Sequence, residues 1–222
     1  MEPHPGLGPG EEVNAGAATA PRVAASVIVV RGGDSGLEVL LVRRNPAARF
    51  MGGVWVFPGG AVDPEDRLES GPEGLDHALR VAALREVAEE AGIQLGGELL
   101  LPFSRWITPR HLMTRFDTWF FVTPAPYSAE PQVDGEECVA AQWATPANAL
   151  AAHRSGQLPL VFPTIKHLEQ LQAYSSADQL IEHAYEQEIV PIEPRIVMVR
   201  DQPRVLLPGD AGYEAAGQQR TG

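Results

Sequence analysis

Cysteine, lysine and long apolar runs are what this chain has least of. Cys138 is the only cysteine, so no internal disulfide can form and no Cys-rich zinc cage can be built. A lone thiol fits a reducing compartment, and cytoplasm is the expected location. Lys166 is the only lysine. The arginines that carry nearly all the positive charge suit a grip on phosphate, but GC-rich coding accounts for them better, so their number decides nothing. Positive charge is scarce altogether, with 17 basic residues against 29 acidic ones and a formal net charge of -12. With no segregated basic stripe, that balance repels a nucleic-acid backbone, and nucleic acid is not an expected partner. No stretch approaches the roughly 20 apolar residues that cross a bilayer, and the first residues have neither a basic start nor an apolar core. Neither membrane insertion nor secretion is expected.

What is present is enough for one large core, since 44% of the 222 residues are apolar. Residues 1–21 are rich in Gly, Pro and Ala without a period and are expected to be disordered. A single domain is expected over about 22–210, and 211–222 reads as a flexible tail. Val23 to Val30 and Leu37 to Val42 read as two strands around a turn, and Val54 to Phe57 as a short strand stopped by Pro58-Gly59-Gly60. The polar stretch at about 64–74 predicts an extended loop. Leu75 to Ala91 predicts a helix, with Leu79, Ala83, Val87 and Ala91 as its apolar stripe and Gly92 as its C-cap. Strands at Leu99 to Leu101, Phe116 to Val122 and Cys138 to Trp143, a helical region at about 147–190 and a hairpin over Ile196 to Leu207 complete an α/β pattern.

On the predicted helix, Glu86 and Glu90 stand four residues apart and share a face, with Glu89 beside them. Like charges so placed destabilise a helix by a few tenths of a kcal/mol per pair. A hard divalent cation with oxygen ligands would offset that; for the helix alone, a solvated acidic face is the commoner explanation. The turn before the helix shifts the balance, because paired glycines bring bare backbone towards the carboxylates. Gly60 followed by Arg85-Glu86-Val87-Ala88-Glu89-Glu90-Ala91-Gly92-Ile93 resembles the signature of the Nudix hydrolases.

The resemblance implies a Nudix-type α/β/α sandwich with a mixed sheet, here with additional C-terminal helices and a hairpin, and hydrolysis of a nucleoside diphosphate linked to another moiety. Carried over by position, Glu86, Glu89 and Glu90 would hold Mg²⁺ or Mn²⁺, with the carbonyl of Gly60 or its neighbour completing the shell. Arg85, Gly59 and Gly92 would be structural. Two departures stand out. Gly60 and Arg85 are further apart than the family pattern has them, and His77 stands where that pattern ordinarily has a glutamate partner for the arginine, with Asp76 adjacent as a substitute.

Trp106-Ile107-Thr108-Pro109, Arg115-Phe116-Asp117-Thr118 with Phe120-Phe121, and Leu206-Leu207-Pro208-Gly209-Asp210 resemble the branch that includes the peroxisomal coenzyme A and acyl-coenzyme A diphosphatases. No diagnostic coenzyme A motif precedes Gly59. For the general base, Glu89, Glu90 and, from the Asp134-Gly135-Glu136-Glu137 turn, Glu137 are the candidates. Arg44 and Arg115 are candidate substrate contacts, and His111 is expected to be merely solvated. The expected partner is a small nucleotide-type molecule, with coenzyme A or its thioesters first and ADP-ribose or a nucleotide sugar as the enzymatic alternative. A non-catalytic nucleotide-binding module is the alternative of another class, and the late helices leave room for a homodimer.

Overall fold

The computed structural model describes residues 18–33, 36–69, 74–200 and 202–218. Strands β1 (Arg22–Gly33) and β2 (Gly36–Arg44) form an antiparallel pair, β3 (Trp55–Val56) adds to β2, and β4 (Gly59–Ala61) returns to β1 with Gly60 opposite Ala25. Helices α1 (Pro64–Glu69) and α2 (Gly74–Ala91) follow. Strand β5 (Leu101–Ile107) lies antiparallel to β6 (Phe116–Pro124), which runs parallel to β1, while β7 (Cys138–Ala144) pairs with β2. Helices α3 (Pro146–Arg154), α4 (Phe162–Leu171) and α5 (Ala177–Glu186) precede β8 (Pro191–Ile192), which joins β5 in parallel. A separate ribbon of β9 (Arg195–Val199) and β10 (Gln202–Leu206) leads to α6 (Tyr213–Gln218).

Strand periodicity explains the layering. Val27 and Val29 pack with the α2 stripe, whereas Ile28 and Val30 pack with residues of α3, α4 and α5 on the other face. Each such side chain contributes about 1.5–3 kcal/mol on burial. Covering both faces of a mixed sheet with helices makes an α/β/α sandwich, the expected class. Leu79, Ala83, Val87 and Ala91 are all buried, and small alanines let α2 approach the sheet. Gly92 ends the helix at φ +65°, its N–H donating to Ala88.

Four expectations need correction. Residues 64–69 of the expected loop form α1, and 70–73 lie outside the described residues. The strand expected at Leu99 to Leu101 is β5, whose period is interrupted by a register shift between Pro102 and Ser104. Within the expected flexible tail, α6 is fixed by Tyr213, whose ring lies 3.7 Å from the Arg195 guanidinium and whose hydroxyl donates to the Glu193 carbonyl at 2.8 Å. Of the expected disordered segment, 1–17 lie outside the described residues, but Thr19 is tied down, donating to the Met113 carbonyl. Among the described residues no helix is long and apolar enough to cross a membrane.

Candidate active site

The buried stripe of α2 does not end in apolar residues. Glu86 is 7% exposed and Glu90 1%, at positions where a core helix ordinarily presents hydrocarbon. Burying a carboxylate is costly unless it is paired or hydrogen-bonded. The Gly59 N–H donates to Glu90 Oε2 at 2.9 Å, and Arg44 Nη1 lies 3.7 Å from Glu90 Oε1. The absence of side chains at the turn is what allows this. A Cβ on Gly60 would overlap the Glu86 carboxylate, and one on Gly59 would overlap the backbone of Ala25 and Ser26. The predicted sharp turn is thus a short strand whose bare face meets two acids.

Arg85 holds the helix in place, and its partner is a residue the sequence did not single out. Nε and Nη2 donate to the two oxygens of Asp66 at 3.0 and 2.9 Å, and Nη2 also reaches the Ala61 carbonyl. Asp66 comes from α1 and is 2% exposed. The lengthened connection therefore supplies the anchoring acid, and Asp76 instead pairs with Arg80 one turn along at 2.9 Å. Nη1 of Arg85 is shared by Glu86 Oε1 and Glu89 Oε2, each at 2.9 Å. Around this turn, six carboxylates (Asp63, Asp66, Glu86, Glu89, Glu90, Glu137) meet three guanidinium groups (Arg44, Arg67, Arg85), so fully ionised acids would leave an excess of negative charge.

Glu86 and Glu90 hold their protons more tightly than a free glutamate, first because they are buried and then because of the neighbouring negative charge. Burial pushes the Glu90 carboxyl up to about 7, helped by the Glu86 charge and opposed by the Gly59 N–H and Arg44. Burial also raises Glu86, with Glu89 and Glu137 adding to it against Arg85. For Asp66, burial acts upwards, but the Arg85 bonds, the Asp63 N–H and the Arg67 charge outweigh it and leave the carboxyl below its ordinary range. An unfolded glutamate releases its proton near pH 4.5, whereas folded Glu90 keeps it to about pH 7. The folded chain then binds more protons across that window, and stability falls as pH rises through it. Urea unfolding without divalent cations is expected to show a loss of roughly 3 kcal/mol between pH 4.5 and 7 from this group. A flat profile would contradict its burial.

A cavity of about 540 Å³ opens beside these acids. It brings together Glu86, Glu90, Gly59, Gly60, Arg44 and Glu137. Glu137 is placed by the turn in which Asp134 accepts backbone N–H bonds from Glu136, Glu137 and Cys138. Glu89 does not line the cavity; its largely exposed side chain accepts from Arg85. Arg115 is not brought to the cavity: it is 8% exposed, and its guanidinium donates to the Thr108 and Thr19 carbonyls and to Glu193. Its expected substrate contact is therefore corrected to a structural tie. His111 is exposed and outside the cavity. Alternation in β6 sends Phe116, Thr118 and Phe120 to the cavity and buries Phe121 against α2. Sequence reasoning passed over Arg22, which lines the cavity with its guanidinium 5.8 Å from the Phe116 ring. Its only signal was a cation at the start of the first strand.

Comparison with known proteins identifies the family. A family model described as NUDIX domain matches residues 20–162, and the chain belongs to the Nudix family. A crystal structure of a NUDIX hydrolase from Alicyclobacillus acidocaldarius superposes with a TM-score of 0.67 at 33% identity, covering 74% of this chain and 96% of that one. The human acyl-coenzyme A diphosphatase NUDT19 is 24% identical, over 80% of this chain and 72% of its own length. A putative nudix hydrolase 7 of Caenorhabditis elegans is 26% identical over 71% of this chain, and the match spans 62% of that relative.

Proposed function

We propose that the protein hydrolyses a phosphate anhydride in a nucleoside diphosphate linked to another moiety, with coenzyme A or an acyl-coenzyme A as the preferred substrate. The observation that carries this reading is the pair of buried carboxylates, Glu86 and Glu90, set against bare glycine backbone at one end of the cavity. Coenzyme A is supported by the name of the human relative.

The donor set fits a hard cation, being all oxygen and short of positive charge. Glu86, Glu89 and Glu90, with the carbonyl of Gly60 or its neighbour, are the groups that would hold Mg²⁺ or Mn²⁺. Among the described residues no ready cage of three acidic, His or Cys side chains is closed, because Glu86 and Glu89 turn to Arg85 Nη1. Arg85 holds Asp66 through Nε and Nη2, separately from the Nη1 that Glu86 and Glu89 share, so the carboxylates that would hold the cation are not the ones that anchor the helix. When bound, such a cation polarises the phosphoryl oxygens and makes a bound water more acidic. Arg44 faces the cavity and can pair a phosphate oxygen. Glu89, Glu90 or Glu137 takes the proton from the attacking water. Water oxygen bonds to one phosphorus, and the bridging oxygen leaves with the other phosphate.

Incubation of the protein with coenzyme A, an acyl-coenzyme A and ADP-ribose, each with Mg²⁺ or Mn²⁺, tests the substrate. Consumption of the coenzyme A compounds first is expected; consumption of ADP-ribose with coenzyme A untouched at equal concentration would overturn the preference. A Gly60→Ala variant must displace the Glu86 carboxylate, and turnover is expected to fall by about 10²-fold. Retention of wild-type kcat would show that Glu86 need not occupy its observed place.

A further inference from the structure

We infer that the β9–β10 ribbon and the start of α4 wall a subsite for an aliphatic chain carried by the substrate, and that Ile196 and Val205 set which chains it accepts. This rests on the anhydride-hydrolase reading above. Ile196 is directly opposite Val205 in the ribbon, and Pro194 and Pro203 stand two residues from them. Side chains two apart on a strand share a face, and all four line the cavity, so one face of the ribbon is turned towards it. Phe162 and Pro163 continue the wall. These six residues bring no side-chain donor or acceptor, and the three prolines lack a backbone N–H. Such a wall offers no side chain to the polar edge of a nucleobase, and its main gain comes from removing hydrocarbon from water.

Glu86, Glu90 and Gly60 line the same cavity, so a chain on this wall is continuous with an anhydride at the carboxylates. The matched family domain ends at residue 162, which makes five of the six wall residues an addition to it. An isolated two-stranded ribbon is marginal, but this one is anchored. Arg195 stacks on Tyr213 and donates to its carbonyl, while Glu193, just before β9, accepts from Arg115.

Calorimetric titration of ethyl, butyl and octyl phosphate into the protein with Mg²⁺ reads the subsite without turnover. Each buried methylene multiplies affinity by about fourfold, so Kd is expected to tighten at least tenfold from ethyl to octyl phosphate. In Val205→Trp, which fills the wall, and in Ile196→Asp, which charges it, the ethyl-to-octyl ratio is expected to collapse towards one, with circular dichroism confirming the fold of each. Equal wild-type Kd values for the three ligands, or folded variants that keep the wild-type ratio, would overturn the inference. Failure of the hydrolase reading appears separately, as an intact anhydride in a turnover assay, and leaves this titration standing.

Discussion

Glu90→Gln is expected to lower kcat by about 10²–10⁴-fold while stabilising the cation-free protein above pH 7. The two effects have one origin. Glu90 is 1% exposed and keeps its proton to about pH 7, so above that pH the folded chain carries a buried negative charge that the Gly59 N–H, Arg44 and the Cys138 thiol offset only in part. Glutamine preserves the shape and its carbonyl can still accept from Gly59, but it carries no charge. Removing the charge is worth roughly 3 kcal/mol at pH 8, the cost of ionising this acid in the fold, where it holds its proton to about pH 7, rather than in the unfolded chain. At pH 5 the gain should nearly vanish, because the native residue is already neutral there. A residue held at such a cost is doing something other than stabilising the fold. Thermal melts at both pH values beside a turnover assay read both effects, and a variant with wild-type activity and an unchanged melt at pH 8 would place Glu90 in the solvated face that the helix sequence alone allows.

Replacing Arg85 with Met is expected to destabilise the protein by about 3–5 kcal/mol, the usual consequence of leaving a buried charge without its partner. Asp66 is 2% exposed and would lose both guanidinium bonds. For a chain of this length, each kcal/mol corresponds to roughly 2–4 °C in Tm. The double variant Arg85→Met with Asp66→Leu should recover a large part of the loss, since the orphaned carboxylate is gone. Asp66 is held below the 3.8 of an ordinary aspartate, so its contribution is complete above that pH and is lost as acid titrates it in the folded state. Additive losses in the double variant would mean that Arg85 stabilises the helix by some route other than Asp66.

Much of this architecture was legible along the chain, for identifiable reasons. The β-branched run of β1 and the stripe of α2 are local patterns with strong periods, and each is buried as its period requires. Gly60 and Glu86 to Glu90 were legible as a constellation through their resemblance to the family signature, since the helix carboxylates alone read as a solvated face. The anchor was not. Residues 64–69 show no apolar face, and Leu68 is 82% exposed, so nothing local marks them as ordered. What fixes α1 is the pairing of Asp66 with an arginine 19 residues away, which no period records. Arg115 failed in the opposite sense: its place before an aromatic strand resembled a ligand contact, but Thr19, Thr108 and Glu193 converge on it from distant segments. β5 was misplaced because its register shift breaks the alternation that reveals a strand.

The central claim, hydrolysis of a phosphate anhydride at the Glu86 and Glu90 end of the cavity, is tested most directly by phosphorus NMR of coenzyme A incubated with the protein and Mg²⁺ in water enriched in heavy oxygen. The expected result is loss of the paired diphosphate resonances and growth of phosphomonoester signals. One of the two products should carry a single heavy oxygen, and the reaction should stop on chelation and in Glu90→Gln. Diphosphate resonances that persist for coenzyme A, its thioesters and ADP-ribose alike, or turnover indifferent to both chelation and Glu90→Gln, would contradict the account.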